Sequence, residues 1–250
     1  MDVCEAIATR FSCRAFLDKS VPLPIVRDIV ERAARAPSGG NLQPWRVHAL
    51  AGARLGALIE LIRPRYGELP LGEGTEYDIY PKDMKEPYRS RSRSVGELLY
   101  DAIGVARGDR PARYRQFARN FEFFGAPVGL LFSIDRTMGP PQWCDLGMYI
   151  QTVMLVARTH GLHCCAQESW AHWHKTVGAF LQLPAEQMLI CGMALGYGNP
   201  DAAINRWRSP REPATAFAAF LGFEAEYTGE KLDALQDGYA KNKNLQHDPM

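Results

Sequence analysis

The sequence predicts a single α+β domain, and three observations carry that expectation. Long stretches show the apolar periodicity of helices, whereas strand-like apolar runs are few and lie apart. Neither G-x-G-x-x-G after a strand nor G-x-x-x-x-G-K-[ST] occurs, so the phosphate loops of the doubly wound nucleotide folds lack their fingerprints. The composition is that of an ordinary globular protein, 46% apolar and 23% charged with 22 Gly and 17 Pro in 250 residues. A chain of this size buries roughly 70–75% of its unfolded surface, enough for a core without disulfide or metal staples.

Each element follows from local pattern. A short helical pattern covers Asp2–Arg10, and Pro24–Ala36 carries Ile25, Val26, Ile29, Val30 and Ala33 on one face. Pro37–Trp45 is a loop by its turn residues, followed by a strand over Arg46–Leu50 and a helix over Ala53–Ile62. Residues 63–119 read as an irregular, lid-like insertion rich in Pro and Tyr, with the basic run Arg89-Ser-Arg-Ser-Arg93 and helices expected near Ser94–Val105 and before Asn120. Ala126–Ile134 is a buried strand, Gln142–His160 a long helix stopped by Gly161, and Leu162–Gln167 a short strand. Lys175–Leu181 is a helix and Met188–Tyr197 a strand. The domain is expected to span 1–228, with 229–250 a polar C-terminal tail.

With 29 Lys and Arg against 28 Asp and Glu, nothing global attracts nucleic acid or an anionic membrane. The most apolar runs, Val128–Ile134 and Met148–Ala157, are shorter than the ~20 residues a spanning helix needs. The start, MDVCEAIATRFSCRAF, lacks the apolar stretch of a secretion signal, so a cytoplasmic protein with no membrane or nucleic-acid partner is expected. Six scattered Cys fit no disulfide framework and suit a reducing compartment.

Candidate chemistry gathers in four places. Arg10, Ser12 and Arg14 alternate in an extended segment, so two guanidiniums and a hydroxyl share one side and form an anion clamp, or else a solvated basic turn. Arg206, Arg208 and Arg211 make a second anion candidate after the last strand, or a solvated linker. The loop with Pro37, Ser38, Gly39 and Asn41 offers polar groups and close backbone approach, although any helix-to-strand connection has similar residues. His160, His163, Cys164, Cys165, His172 and His174 lie near one another, but their spacing pairs no two ligand sets as structural zinc needs, and no metal is expected. No Ser or Cys has the context of an activated nucleophile, so no catalytic side chain is assigned.

Taken in order, R-x-S-x-R after the first helix, APSGGNLQPW, and a late G-x-x-x-G-Y with N-R-x-R-S-x-R-x-P resemble the FMN-dependent nitroreductase family over about residues 5–222. The middle segment, Tyr80-Pro81 through Phe124-Gly-Ala-Pro127 and Gln142-Trp143, is similar to its nitrobenzoate-reductase branch. The resemblance implies a nitroreductase-like sandwich, with a mixed, mainly antiparallel sheet flanked by helices, in an intertwined homodimer holding FMN at the interface. It implies that Arg10 and Ser12 face the phosphate and ribityl chain, Arg14 the pyrimidine edge, and Arg208 and Arg211 the phosphate. Pro37, Ser38, Gly39 and Asn41 would come from the partner subunit, and a strand segment Gln167-Glu168-Ser169 would run beside the isoalloxazine. NADH or NADPH would donate a hydride to the flavin, which passes two electrons by ping-pong kinetics to an aromatic acceptor, the chemistry residing in the cofactor. The alternatives are an ene- or carbonyl-type reductase on this fold, or a flavin-binding protein with little turnover.

Overall fold

A computed structural model describes residues 1–67, 69 and 72–223; the expected polar tail over 229–250 lies outside them. The expected single domain over 1–228 stands beside a division into two compact units, Met1–Ser209 and Pro210–Met250. In the second, the described residues form one 3-10 turn, Ala214–Ala216, with Phe217, Phe220 and Phe223 exposed.

In the first unit, α1 (Val3–Thr9) starts where Asp2 Oδ1 accepts the Glu5 N–H at 2.8 Å, satisfying a donor that the first turn leaves unpaired. Helix α2 (Leu23–Ala33) buries Val26, Ile29 and Ala33, the face that its periodicity picks out. Strand β1 (Arg46–Ala51) leads into α3 (Gly52–Tyr66), which runs past the expected end at Ile62 and accommodates Pro64 in its last turn. Next come α4 (Tyr88–Ala102), α5 (Arg110–Ala118), β2 (Val128–Asp135), α6 (Pro140–Thr159), β3 (His163–Gln167), α7 (His174–Leu181) and β4 (Gln187–Gly196).

The four strands pair in the order β1-β2-β4-β3, each pair antiparallel. The parallel element is a bridge between Ser12 and Cys164, which lays the N-terminal segment along β3. Strand β2 is buried from Val128 to Ile134 because both faces of the sheet are covered. Leu130, Phe132 and Ile134 pack with α2 and α6 (Val26, Ile29, Tyr149, Val153), while Leu131 packs with Leu58, Ile62 and Trp173 on the other face. Cys164 and Cys165 divide the same way, one to each core, as strand alternation requires.

Two expectations need correction. The insertion over 63–119 is not irregular throughout: the run Arg89–Arg93 lies inside α4, an exposed helix with no buried residue. Pro and Tyr on either side obscure it, but 88–102 itself contains no Pro and carries three Arg and two Leu, which favour helix. The strand does end at Gln167, as the apolar pattern has it, but Gln167-Glu168-Ser169 is not a strand segment, because Glu168–Trp173 coils into a 3-10 turn that buries Trp170 and Trp173 completely under the sheet.

Candidate active site

Around Arg10 the chain leaves α1 in extended conformation, its N–H still donating to Ala6 O. Cys13 N–H donates to Cys164 O at 3.0 Å, which fixes the segment along β3. Arg14 Nη1 donates to Ser12 O at 3.2 Å, and Arg14 N–H donates to Asn205 Oδ1 at 2.9 Å. Asn205 is 5% exposed, and its Nδ2 donates to Ala15 O and Asn199 O, each at 2.8 Å. One amide therefore ties the first anion candidate, the turn after β4 and the arginine-rich stretch together. Arg208 stands beside them, its Nη1 donating to Asn205 O at 2.9 Å and its guanidinium 4.0 Å over the Phe11 ring. Arg211 belongs to the second unit, where its Nη1 donates to Pro210 O.

The end of β3 closes the arrangement. Gln167 is buried, its Nε2 donating to Asn120 O at 2.7 Å. Gln167 Oε1, Ser169 Oγ and Trp170 Nε1 are buried polar atoms with no hydrogen-bond partner among the described residues. Unpaired polar groups at the end of the strand along which the arginine segment runs fit a polar heterocycle carrying a phosphorylated chain, the chemical character of FMN. Glu168 is exposed in the same turn, and its charge is felt across the segment that precedes α4: Tyr77 is pushed up by burial, then by Cys191 and Glu168. Tyr77 OH donates to Ile190 O, anchoring that segment on β4.

The loop with Pro37 is fixed differently. Gly39 N–H donates to Asp145 Oδ2 at 3.2 Å, from α6, and Ser38 Oγ accepts the Gln43 N–H at 3.0 Å. Gly40, Asn41 and Gln43 have φ of 58°, 56° and 49°. Left-handed conformations at two non-glycine residues cost of order 1 kcal/mol each and gather where a loop must present a particular shape. The loop is held on α6, and none of its hydrogen bonds goes to the Arg10–Asn205 cluster among the described residues.

A cavity of about 580 Å³ opens beside α4, walled by Tyr80, Pro81, Met84 and Tyr88, with Lys85 and Arg91 among its polar lining. Of the basic run, Arg91 lines this cavity, while Arg89 pairs with Glu86 at 3.5 Å. Sequence reasoning missed Asn205, Asn120 and Asp145 as positioning groups. Asn205 had a signal in its place at the head of the arginine run; the other two act through contacts that no local pattern announces.

Residues 7–197 match the model of the nitroreductase family. The chain belongs to the nitroreductase family. It is 38% identical over 223 residues to the 4-nitrobenzoate reductase of Pseudomonas putida, covering 89% of this chain and 97% of that one. It is 36% identical to the chloronitrobenzene nitroreductase of Comamonas testosteroni, covering 87% and 96%. Among solved structures, the FMN- and NADPH-dependent nitroreductase NfnB from sphigopyxis sp. strain HMH superposes with a TM-score of 0.87 at 43% identity, over 89% of this chain and all of that one. The FMN-dependent NfnB from Mycobacterium smegmatis, in complex with NADPH, gives 0.82 at 28% identity over 88% and 99%. These matches bear out the expected nitroreductase fold and its helix-flanked sheet.

Proposed function

We propose that this nitroreductase-family chain is an FMN-dependent NAD(P)H oxidoreductase that reduces nitroaromatic compounds. The observation that carries the reading is the Arg10-Ser12-Arg14 segment, laid along β3 and locked by Asn205 beside Arg208, in a chain 43% identical to an FMN- and NADPH-dependent nitroreductase. Arg10 and Arg208 hold the phosphate through charge-assisted bonds; Ser12 meets the ribityl chain. Arg14 lies against the pyrimidine edge, where its fixed positive charge favours the reduced, anionic ring. Gln167, Glu168 and Ser169 border the ring system. Pro37, Ser38, Gly39 and Asn41 reach the site from the partner of a homodimer, which the strained left-handed shape of that loop supports. FMN, when bound, supplies the two-electron chemistry between NAD(P)H and the acceptor; the protein binds and orients. No helix among the described residues is long and apolar enough to cross a membrane, which agrees with a cytoplasmic enzyme.

The acceptor reading rests on the cavity beside α4. Two tyrosines and a methionine suit a flat aromatic ring, and Lys85 and Arg91, which outnumber the one acidic lining residue, Asp83, suit a carboxylate on it. Lys85→Glu and Arg91→Glu are expected to lower kcat/KM for 4-nitrobenzoate about tenfold while leaving nitrobenzene within a factor of two, the scale of one charge-assisted contact. An equal response of both substrates would separate α4 from acceptor selection. The reading as a whole is tested by Arg208→Ala, which should weaken FMN by about ten- to a hundredfold and riboflavin little; equal losses would remove Arg208 from the phosphate.

A further inference from the structure

The segment 72–77 carries a carboxylate that neither the flavin nor the acceptor reading uses. The side chain of Glu73 is only 10% exposed, yet it is charged. Burial pushes its carboxyl up, but hydrogen bonds from Thr176 and Arg65 outweigh burial and hold it below the usual carboxylate range. Its Oε2 accepts the Thr176 N–H at 3.0 Å, and its Oε1 accepts the Thr176 hydroxyl at 2.6 Å and Arg65 Nη2 at 2.9 Å. Arg65 comes from the last turn of α3 and Thr176 from the first turn of α7. The Thr176 N–H is one of the donors that a helix start leaves unpaired, and Trp173, just before α7, offers it no side-chain acceptor. Glu73 supplies that cap from 103 positions away, with its charge at the favourable end of the helix.

The residues beside Glu73 grip the same place. Its own N–H donates to His172 O at 2.7 Å, and His174 Nδ1 donates to Gly74 O at 3.2 Å. Gly72, with φ of 65°, lies so close that a Cβ would sit 2.4 Å from His172 O. Residues 72–74 therefore pin the C-terminal end of the Glu168–Trp173 turn, while Gln167, through Asn120 O, pins the other end. Between the two pins lie Ser169 Oγ and Trp170 Nε1, buried and without a hydrogen-bond partner among the described residues. Hydrogen bonds inside a 3-10 turn are poorly aligned, so its shape depends on what holds its ends. The base of the grip is itself fixed, since Glu76 accepts from Arg136 and Tyr77 OH donates to Ile190 O.

We propose that Glu73 is a positioning residue for the flavin reaction: through Thr176 and His172 it holds the 168–173 turn in the one shape that presents Gln167 and Ser169 to the ring system. That the turn meets a flavin rests on the proposed function; that Glu73 holds the turn does not. A buried ion pair adds little net stability over apolar packing, so what Glu73 supplies is one fixed arrangement. A turn displaced by a fraction of an ångström misplaces the ring against the incoming hydride, which slows the transfer more than it weakens donor binding.

The test compares Glu73→Gln, Thr176→Val and Thr176→Ser with the parent, each as full-length protein. Hydrogen exchange read by mass spectrometry reports the turn, and anaerobic stopped-flow reduction of bound FMN by NADPH reports the reaction. Glu73→Gln turns an amide N–H toward donors, and Thr176→Val removes the hydroxyl while keeping its shape. In both, amides of 168–176 are expected to exchange about tenfold faster, the loss of one charge-assisted bond, with those of the terminal helix α1 unchanged. The limiting rate of flavin reduction should fall about tenfold while half-saturating NADPH stays within a factor of two. Thr176→Ser, which restores the donor, should match the parent in both measurements. Unchanged exchange in the turn, or equal acceleration in α1, overturns the proposal. So does faster exchange with a parent-like reduction rate in protein holding one FMN per chain, since Glu73 then only stabilises the fold. A protein that holds no flavin sinks the proposed function alone, and exchange in its turn still decides whether Glu73 holds it. Should Glu73→Gln fail to fold, Thr176→Val decides, because it leaves Glu73 its bonds to the backbone N–H of residue 176 and to Arg65.

Discussion

At the residue scale, Asn205 bears more than any arginine it precedes. Its amide satisfies Arg14 N–H, Ala15 O and Asn199 O in a buried position, so Asn205→Ala leaves Arg14 N–H and Asn199 O unpaired, while Ala15 O keeps the Asn199 N–H. At about 1–3 kcal/mol for each buried group left unsatisfied, urea denaturation should show a loss of at least about 2 kcal/mol. A loss below about 0.5 kcal/mol would mean that water replaces the amide. His163 makes a pH prediction. Burial, and then Arg158 and Arg208, hold its folded value at about 4, below the ordinary 6.5, so the folded state binds fewer protons than the unfolded one. The stability contribution of neutral His163 is therefore complete above about pH 6.5 and drains away as pH falls toward 4. The Tm of His163→Gln should fall less steeply than the parent's across that window, and parallel Tm profiles would contradict it. Arg10, Ser12 and Arg14 were legible in the sequence because alternation in five residues is a local fact. Asn205 and Glu73 were not, since their roles depend on partners such as Arg14 and Thr176, which are remote along the chain.

At the element scale, β2, β4 and α6 could be read because each carries a long apolar signal bounded by Gly or Pro, and Gly161 does end α6 with φ of 70°. The turn after β3 could not. Trp170 pulls Glu168–Trp173 out of the strand by packing on Gly192 of β4, a long-range contact. A Cβ on Gly192 would sit 2.3 Å from Trp170 Cδ1, and Trp170 is fully buried with no room to retreat. Gly192→Ala should therefore cost about 1–3 kcal/mol by overpacking and, by displacing the turn with Gln167 and Ser169, weaken flavin binding as well. Parent-like stability and parent-like flavin content would show that the turn does not depend on this contact. Helix α4 escaped recognition over its first turns because its exposed residues bury nothing and so leave no apolar stripe.

At the scale of the molecule, the exposed apolar side chains ask for a partner: Val3 and Ile7 on α1, Leu23 on α2, Leu42 beside the strained loop and Met148 on α6. A homodimer that covers them and completes the FMN site predicts that sedimentation finds a dimer and that dilution to monomer releases flavin. A monomer retaining one FMN per chain would rule this arrangement out. The central claim, that this family member carries electrons from NAD(P)H to a nitroarene through bound FMN, has a direct test. Purified protein is reduced anaerobically with NADPH and then mixed with 4-nitrobenzoate while its visible absorbance is followed. The flavin bands should bleach on adding NADPH and return in full on adding the nitroarene; a protein without flavin bands, or one whose bleached flavin the nitroarene leaves unchanged, would contradict the account.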